Sequence, residues 1–222
     1  MDIVDFHAHI LPGLDHGSRS SKDTFEQLRL AKLYGVKRIV ATSHFYPHSE
    51  NPDRFLSRRS EAFQRLQSLM TEDFPEVKLG AEILICDNIE EMPLLSELCL
   101  QGTKILLIEL PFTEISKSHV TSVSCLIKQG FDVVLAHADR YSKDDIEQFL
   151  DIGAKIQLNA DSMSRFIVKK HLISWMERGV VVAIGSDIHG PDKNAYKRFA
   201  NAIKKNSKHI DRIAEQSDAM WC

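Results

Sequence analysis

Gly130-Phe131-Asp132-Val133-Val134-Leu135-Ala136-His137 reads as one complete unit. A glycine ends a helix pattern, a short β-branched apolar strand follows, and an imidazole stands where that strand runs out. The same unit recurs along the chain. Strand-like runs lie at residues 3–7, 37–43, 77–85, 104–110, 132–136, 155–159 and 180–185. Amphipathic stretches at 21–34, 52–70, 116–129, 143–151, 162–178 and 191–206 are long enough to be crossover helices. Ser20 and Ser21 can cap the first, and Asn51 before Pro52 can cap the second. Gly35, Gly102, Gly130, Gly153 and Gly179 sit where a helix pattern meets the next strand, the position that a left-handed backbone closes cheaply. The architecture expected is a parallel α/β repeat of seven strands. Residues 1–222 contain no linker or composition break that would divide them into domains.

Composition narrows the function classes. The 222 residues are 43% hydrophobic and 27% charged, with a formal net charge of −3, so no basic signature points to nucleic acid. No apolar run is long enough to span a bilayer, and the N-terminus enters a strand pattern at once, without a leader ahead of it. Cys86, Cys99, Cys125 and Cys222 lie far apart with no C-x-x-C spacing, the usage of a cytoplasmic chain with reduced thiols. Cys99 and Cys125 fall in helical patterns and are expected to pack rather than react.

Parallel strands place chemistry at their C-terminal ends, and imidazoles and carboxylates gather there. His7 and His9 leave the first strand on alternate residues in Asp5-Phe6-His7-Ala8-His9, so both can face one mouth. His44 follows the second strand, Glu82 lies in the third, Glu109 ends the fourth and His137 the fifth. Asp187 and His189 leave the seventh, and His16 sits in the first loop. Glu109 stands between Ile108 and Leu110, where a carboxylate needs a partner: a neighbouring cation or a metal. His48, His119, His171 and His209 fall in loops or on helical faces and are expected to be solvated.

Nine candidate ligands are too many for one tetrahedral ion, which takes three or four. Shared through bridging carboxylates and water, they suit two or three. Mixed nitrogen and oxygen donors without thiolate favour Mn, Fe or Zn over Ca or Mg. Clustered divalent ions acidify a bridging water and clamp both oxygens of a phosphoryl transfer. Arg140, three residues past His137, is placed to grip a phosphate with its planar fork, unless it makes a surface ion pair.

His7-Ala8-His9-Ile10-Leu11-Pro12-Gly13-Leu14-Asp15-His16-Gly17, Thr42-Ser43-His44, Gly80-Ala81-Glu82-Ile83, Ile108-Glu109, Ala136-His137-Ala138-Asp139-Arg140-Tyr141 and Ser186-Asp187-Ile188-His189 together resemble the PHP (polymerase and histidinol phosphatase) superfamily. Within it the chain is similar to the bacterial metal-dependent protein-tyrosine phosphatases of capsule and exopolysaccharide operons. The resemblance runs in order from residue 3 to about residue 190. It implies a distorted (β/α)7 TIM-like barrel with a trinuclear site, usually containing Mn2+. It implies that His7, His9, Glu82 and Asp187 hold one ion, with Glu82 reaching a second. Glu109 and His137 would serve that second ion, His16, His44 and His189 the third, and Arg140 the phosphate. Two positions depart from the family pattern. Leu14-Asp15-His16-Gly17 replaces the usual pair of aspartates before the glycine, and Asp139 stands where glutamate is usual.

The reaction expected is hydrolysis of protein phosphotyrosine by a metal-bridging hydroxide, with a tyrosine autokinase of polysaccharide synthesis as the natural substrate partner. His189 or Asp15 is the candidate general acid. Cys86, near a strand end, lacks the Gly/Arg loop a phosphate-accepting thiolate needs. The main alternative is a small-molecule phosphoesterase of histidinol-phosphate or nucleotide type on the same scaffold. An amidohydrolase is disfavoured, because no lysine ends a strand. The ending Ala219-Met220-Trp221-Cys222 puts a tryptophan at an exposed end, where it covers a barrel face or meets a partner.

Overall fold

A computed structural model describes residues 4–221; the expected strand start at Ile3 and the thiol of Cys222 lie outside them. Ten strands run parallel: β1 (Val4–His9), β2 (Arg38–Ala41), β3 (His44–Phe45), β4 (Glu76–Leu79), β5 (Glu82–Leu84), β6 (Ile105–Glu109), β7 (Asp132–Leu135), β8 (Lys155–Asn159), β9 (Val181–Gly185) and β10 (Ile188–His189). The helices are α1 (Ser21–Leu33), α2 (Pro52–Gln67), α3 (Lys117–Lys128), α4 (Lys143–Asp151), α5 (Ala160–Ser164), α6 (Lys170–Arg178), α7 (Ala195–Lys205) and α8 (Ser207–Trp221).

Ten strands occupy seven positions. The expected strands 37–43 and 77–85 are each interrupted, giving β2 with β3 and β4 with β5. Thr42 causes the first break: its Oγ1 accepts from Ala8 N at 3.1 Å, a bond the ladder would otherwise supply. Pairing nonetheless crosses the gap, because Gly80 N donates to Ala41 O at 2.9 Å and Glu82 N to Ser43 O at 3.1 Å. With β2 on β4, β5 on β6 and β9 on β1, the sheet closes on itself as a distorted seven-position barrel. β1 carries one extra residue against β2 between Asp5 and Ala8. Phe6 therefore lines the lower interior while His7 and His9 both face the mouth above it.

The local signals act as their chemistry requires. Ser20 Oγ accepts from Asp23 N and Asn51 Oδ1 from Arg54 N, opening α1 and α2. Gly35, Gly130, Gly153 and Gly179 end α1, α3, α4 and α6 with φ between 75° and 100°, whereas Gly102, at 82°, sits in a turn before β6 and ends no helix. Other expectations fail. The helix expected at 162–178 is two, since Asn206 Nδ2 takes the Met163 carbonyl at 3.1 Å and the chain unwinds through 165–169. α7 starts at Ala195 rather than 191, because Asp192 Oδ1 accepts from Asn194 N at 2.9 Å and holds a turn there. His209 is buried on the inner face of α8, not solvated.

Trp221 covers a barrel face, one of its two expected roles, and is buried there rather than exposed. It is 6% exposed and joins Val4, Phe6, Val40, Leu107, Val134 and Val182 in an apolar cluster at the strands' N-terminal ends. Lys78 Nζ lies 5.0 Å from its ring and donates to its carbonyl, and Arg38 pairs with Asp218. A larger core of Leu, Ile and Phe side chains packs between the sheet and the helices. The bottom of the barrel is thus plugged by α8. Trp221→Ala is expected to cost about 3 kcal/mol, read as a lower urea midpoint at unchanged m-value; an unshifted midpoint would refute the plug.

Candidate metal centre

At the opposite rim the structure gathers all nine predicted ligands. His7 and His9 come from β1, His44 from β3, Glu82 from β5, Glu109 from β6 and His189 from β10. His137 and Asp187 leave β7 and β9 with φ of 31° and 50°, a left-handed backbone that is sparsely populated and concentrates at functional sites. His16 is exposed, its ring centroid 4.8 Å from that of His44 and 4.7 Å from that of His189.

The donor atoms converge on common points. His7 Nε2 and His9 Nε2 are 3.1 Å apart, each 3.2 Å from Glu82 Oε2. Asp187 Oδ1 lies 3.6 and 3.4 Å from the same two nitrogens. On the other side of Glu82, His137 Nε2 is 2.7 Å from Oε1 and 3.6 Å from Glu109 Oε1. His44 Nδ1, Glu82 and Glu109 form another group of donors within 4.8 Å of one another, as do His9, His44 and His189. Glu82, 1% exposed, is common to two of the three groups.

Outer partners turn the imidazoles inward. Gln157 Oε1 sits 3.1 Å from His7 Nδ1 and Asp15 Oδ2 2.9 Å from His9 Nδ1. The Asp187 carbonyl lies 3.0 Å from His189 Nδ1. An acceptor on Nδ1 fixes the proton there and leaves the Nε2 lone pair facing the mouth, as metal-ligating histidines require. Two glycines permit this crowding. A Cβ on Gly17 would lie 2.1 Å from His9 Cβ, and one on Gly185 would lie 2.4 Å from His7 Cβ.

The electrostatics call for cations. Burial and then the Glu82 charge push the Glu109 carboxyl up to about 7. Burial opposes ionisation of Glu82 too, but His7, His137 and His44 outweigh it and hold that carboxyl well below its usual range. Burial, then His9, brings His189 down to about 4. His44 Nδ1 and Glu82 Oε2 are only 2.9 Å apart, yet neither is directed as a hydrogen bond to any partner. Buried polar atoms this close without a hydrogen bond between them are what a bound divalent ion satisfies, and nitrogen with carboxylate oxygen is the set that suits Mn, Fe or Zn.

The remaining expected residues fare differently. Asp15 accepts from Gly17 N at 2.9 Å and His44 N at 3.0 Å as well as meeting His9. These contacts hold its carboxyl far below the usual range despite burial, and they place Asp15 where it orients the His9 ring. Arg140 is 40% exposed and donates to Asp187 Oδ2 at the mouth. Asp139 turns away from that rim, accepting from Asn159 N at 2.8 Å and Ser162 Oγ at 2.5 Å.

Sequence reasoning missed the supporting shell. Gln157 also accepts from His137 N at 2.7 Å and donates to Asn159 Oδ1 at 2.9 Å; Asn159 Nδ2 in turn donates to Asp187 Oδ2 at 2.9 Å. Asp5 accepts from Ser186 N and Oγ at 2.7 and 2.6 Å. The available signal was two amides alternating in the buried strand Lys-Ile-Gln-Leu-Asn. Gln157→Leu should weaken metal affinity roughly ten- to hundredfold, measured by chelator competition on the folded variant. An unchanged affinity would show that Gln157 does not orient His7.

The comparisons agree with this geometry. The family model for capsular polysaccharide synthesis, CpsB/CapC, matches residues 3–218. The tyrosine-protein phosphatase YwqE of Bacillus subtilis is 28% identical over 197 residues, 84% of this chain and 77% of that one. The tyrosine-protein phosphatase CpsB of Streptococcus agalactiae is 26% identical over 212 residues, 86% and 84% of the two chains. A structure described with YwqE from Bacillus subtilis and CpsB from Streptococcus pneumoniae as unique metal-dependent tyrosine phosphatases superposes with a TM-score of 0.78 at 25% identity, over 99% of this chain and 94% of that one. With its barrel, its ring of candidate ligands and a match over nearly its whole length, the chain belongs to the CpsB/CapC family of capsular polysaccharide synthesis.

Proposed function

We propose that residues 1–222 act as one metal-dependent protein-tyrosine phosphatase, with a tyrosine autokinase of polysaccharide synthesis as substrate and Mn2+ as the usual metal, Fe or Zn being the alternatives. The observation that carries this reading is the convergence of buried imidazoles and carboxylates about Glu82. The family membership and the likeness to YwqE and CpsB, both tyrosine-protein phosphatases, favour it over a small-molecule phosphoesterase. No helix among the described residues is long and apolar enough to cross a membrane.

His7, His9, Glu82 and Asp187 would hold one ion. Glu82, Glu109 and His137 would hold a second, and His16, His44 and His189 a third. Divalent ions bound there supply charge neutralisation for phosphoryl oxygens and a water acidic enough to react near neutral pH. The chain's own residues do the positioning. Gln157 and Asp15 keep the His7 and His9 lone pairs inward, and Arg140 presents its fork at the mouth to a non-bridging phosphate oxygen. Hydrolysis forms one P–O bond to water and breaks the bond to the tyrosyl oxygen, which takes up the proton that water loses. Phenol has a pKa of about 10 and leaves with little protonation. The reaction therefore does not require His189, whose Nδ1 lies against a carbonyl, to serve as ligand and acid together.

Exhaustive chelation, checked by elemental analysis, should abolish hydrolysis of a phosphotyrosine peptide, and His7→Ala should lose both metal and turnover. Thiol alkylation should leave turnover largely intact, since Cys86 is only partly exposed and its thiol is pushed up by burial. Turnover surviving verified metal removal would overturn the proposal, and a preference for histidinol phosphate or mononucleotides would replace protein phosphotyrosine with a small substrate. Arg140→Ala should lower kcat/KM by roughly 10²-fold without metal loss; an unchanged value would remove Arg140 from phosphate binding.

A further inference from the structure

Phe112 is 71% exposed at the edge of the centre. Its ring lies nearly parallel to that of His137, at 13° and 6.4 Å between centroids, and to that of Tyr141, at 18° and 5.9 Å. An aromatic face left in water beside a candidate metal ligand serves no core. The backbone leading to it is nevertheless anchored, because Tyr141, itself buried, donates its hydroxyl to Leu110 O at 2.6 Å.

Phe112 forms one wall of a cavity of about 490 Å³ that also holds Arg140 and Asp187. Arg165, Lys169 and Arg198 also line it. Asp161 lies 3.5 Å from Arg165 and 3.0 Å from Arg198, and Asp192 lies 2.6 Å from Arg198. Lys169 makes no ion pair among the described residues; its Nζ reaches only the Asp139 carbonyl at 3.4 Å. A smaller cavity of about 290 Å³ beside His16 and His44 differs in this respect. Its Arg54 and Arg58 are both committed to Glu50.

We infer that the cavity between Phe112 and Lys169 is the subsite for the leaving group: the phenyl ring of the substrate lies against Phe112, and a carboxylate flanking the phosphotyrosine meets Lys169. The inference rests on the phosphatase reading and deepens it. His137, whose ring lies beside Phe112, also meets Glu82 and Glu109, so a phenyl ring seated on Phe112 is next to the donors that would receive its phosphate. Stacking of offset aromatic rings and a half-exposed ion pair are both modest effects. They select among substrates more than they accelerate the reaction.

The test compares kcat/KM of the metal-loaded full chain for three peptides: a phosphotyrosine peptide flanked by glutamates, the same peptide flanked by glutamines, and its phosphoserine counterpart. Phe112→Ala should lower the phosphotyrosine-to-phosphoserine ratio by roughly threefold to tenfold, while Phe112→Trp restores it. Lys169→Glu should lower the glutamate-to-glutamine ratio by roughly threefold. Thermal melts of the variants should match wild type, since neither side chain is buried. If wild type cleaves phosphotyrosine but both ratios stay where they are in the variants, the subsite is overturned and the phosphatase reading stands. If wild type cleaves no aryl phosphate, both fall together.

Discussion

The charge on Glu82 is the constraint to which the rest of the structure answers. The residue is 1% exposed, and an ionised carboxylate out of water costs several kcal/mol unless positive groups surround it. Here it is met by His7, His9, His44 and His137. Neutral imidazoles cannot balance it, and fully protonated ones would repel one another at these distances. Divalent cations bound there would resolve both problems, because each imidazole would give a lone pair and each carboxylate a charge.

Backbone irregularity is concentrated where this crowding demands it. The extra residue in β1 brings His7 and His9 to the mouth together, and the breaks after β2 and β4 let His44 and Glu82 approach. His137 and Asp187 adopt left-handed backbones at the ends of their strands. Such positions cost roughly 1–3 kcal/mol each and persist only when surroundings over-determine them. The surroundings are visible. Gln157 holds both the ring and the backbone nitrogen neighbourhood of the centre, bonding to His7 and His137 N at once, and Asn159 and Ser186 brace the Asp187 segment.

The two ends of the barrel have separate tasks. The lower interior is apolar and closed by Trp221, and this packing offsets the strain above it. The upper rim is polar, partly open and lined by loops. Division of this kind lets the loop side chains, Phe112 and the segment 165–169 among them, vary in chemistry without disturbing the core.

How far each was legible follows from the range of the interactions. Strand rhythm, helix caps and glycine stops are local, and residues within one turn of each other decide them. The ligands were legible because an imidazole or acid at the end of an apolar strand has few other reasons to be there. Proximity in space was not. Gln157 could not be paired with His7 and His137 until β8 came to lie beside β7 and β9, nor Asp15 with His9 and two backbone amides until the loops closed over the mouth. The break at Thr42 arises from a bond to Ala8, 34 positions away. That Trp221 covers a barrel face was one of two open readings, and its burial was not legible because its partners, Val4 and Phe6 among them, belong to the other end of the chain. Residue type and order determined the repeat and the donor set. Tertiary folding decided the tautomers, the strand breaks and the plug, because each depends on atoms that only closure of the barrel brings together.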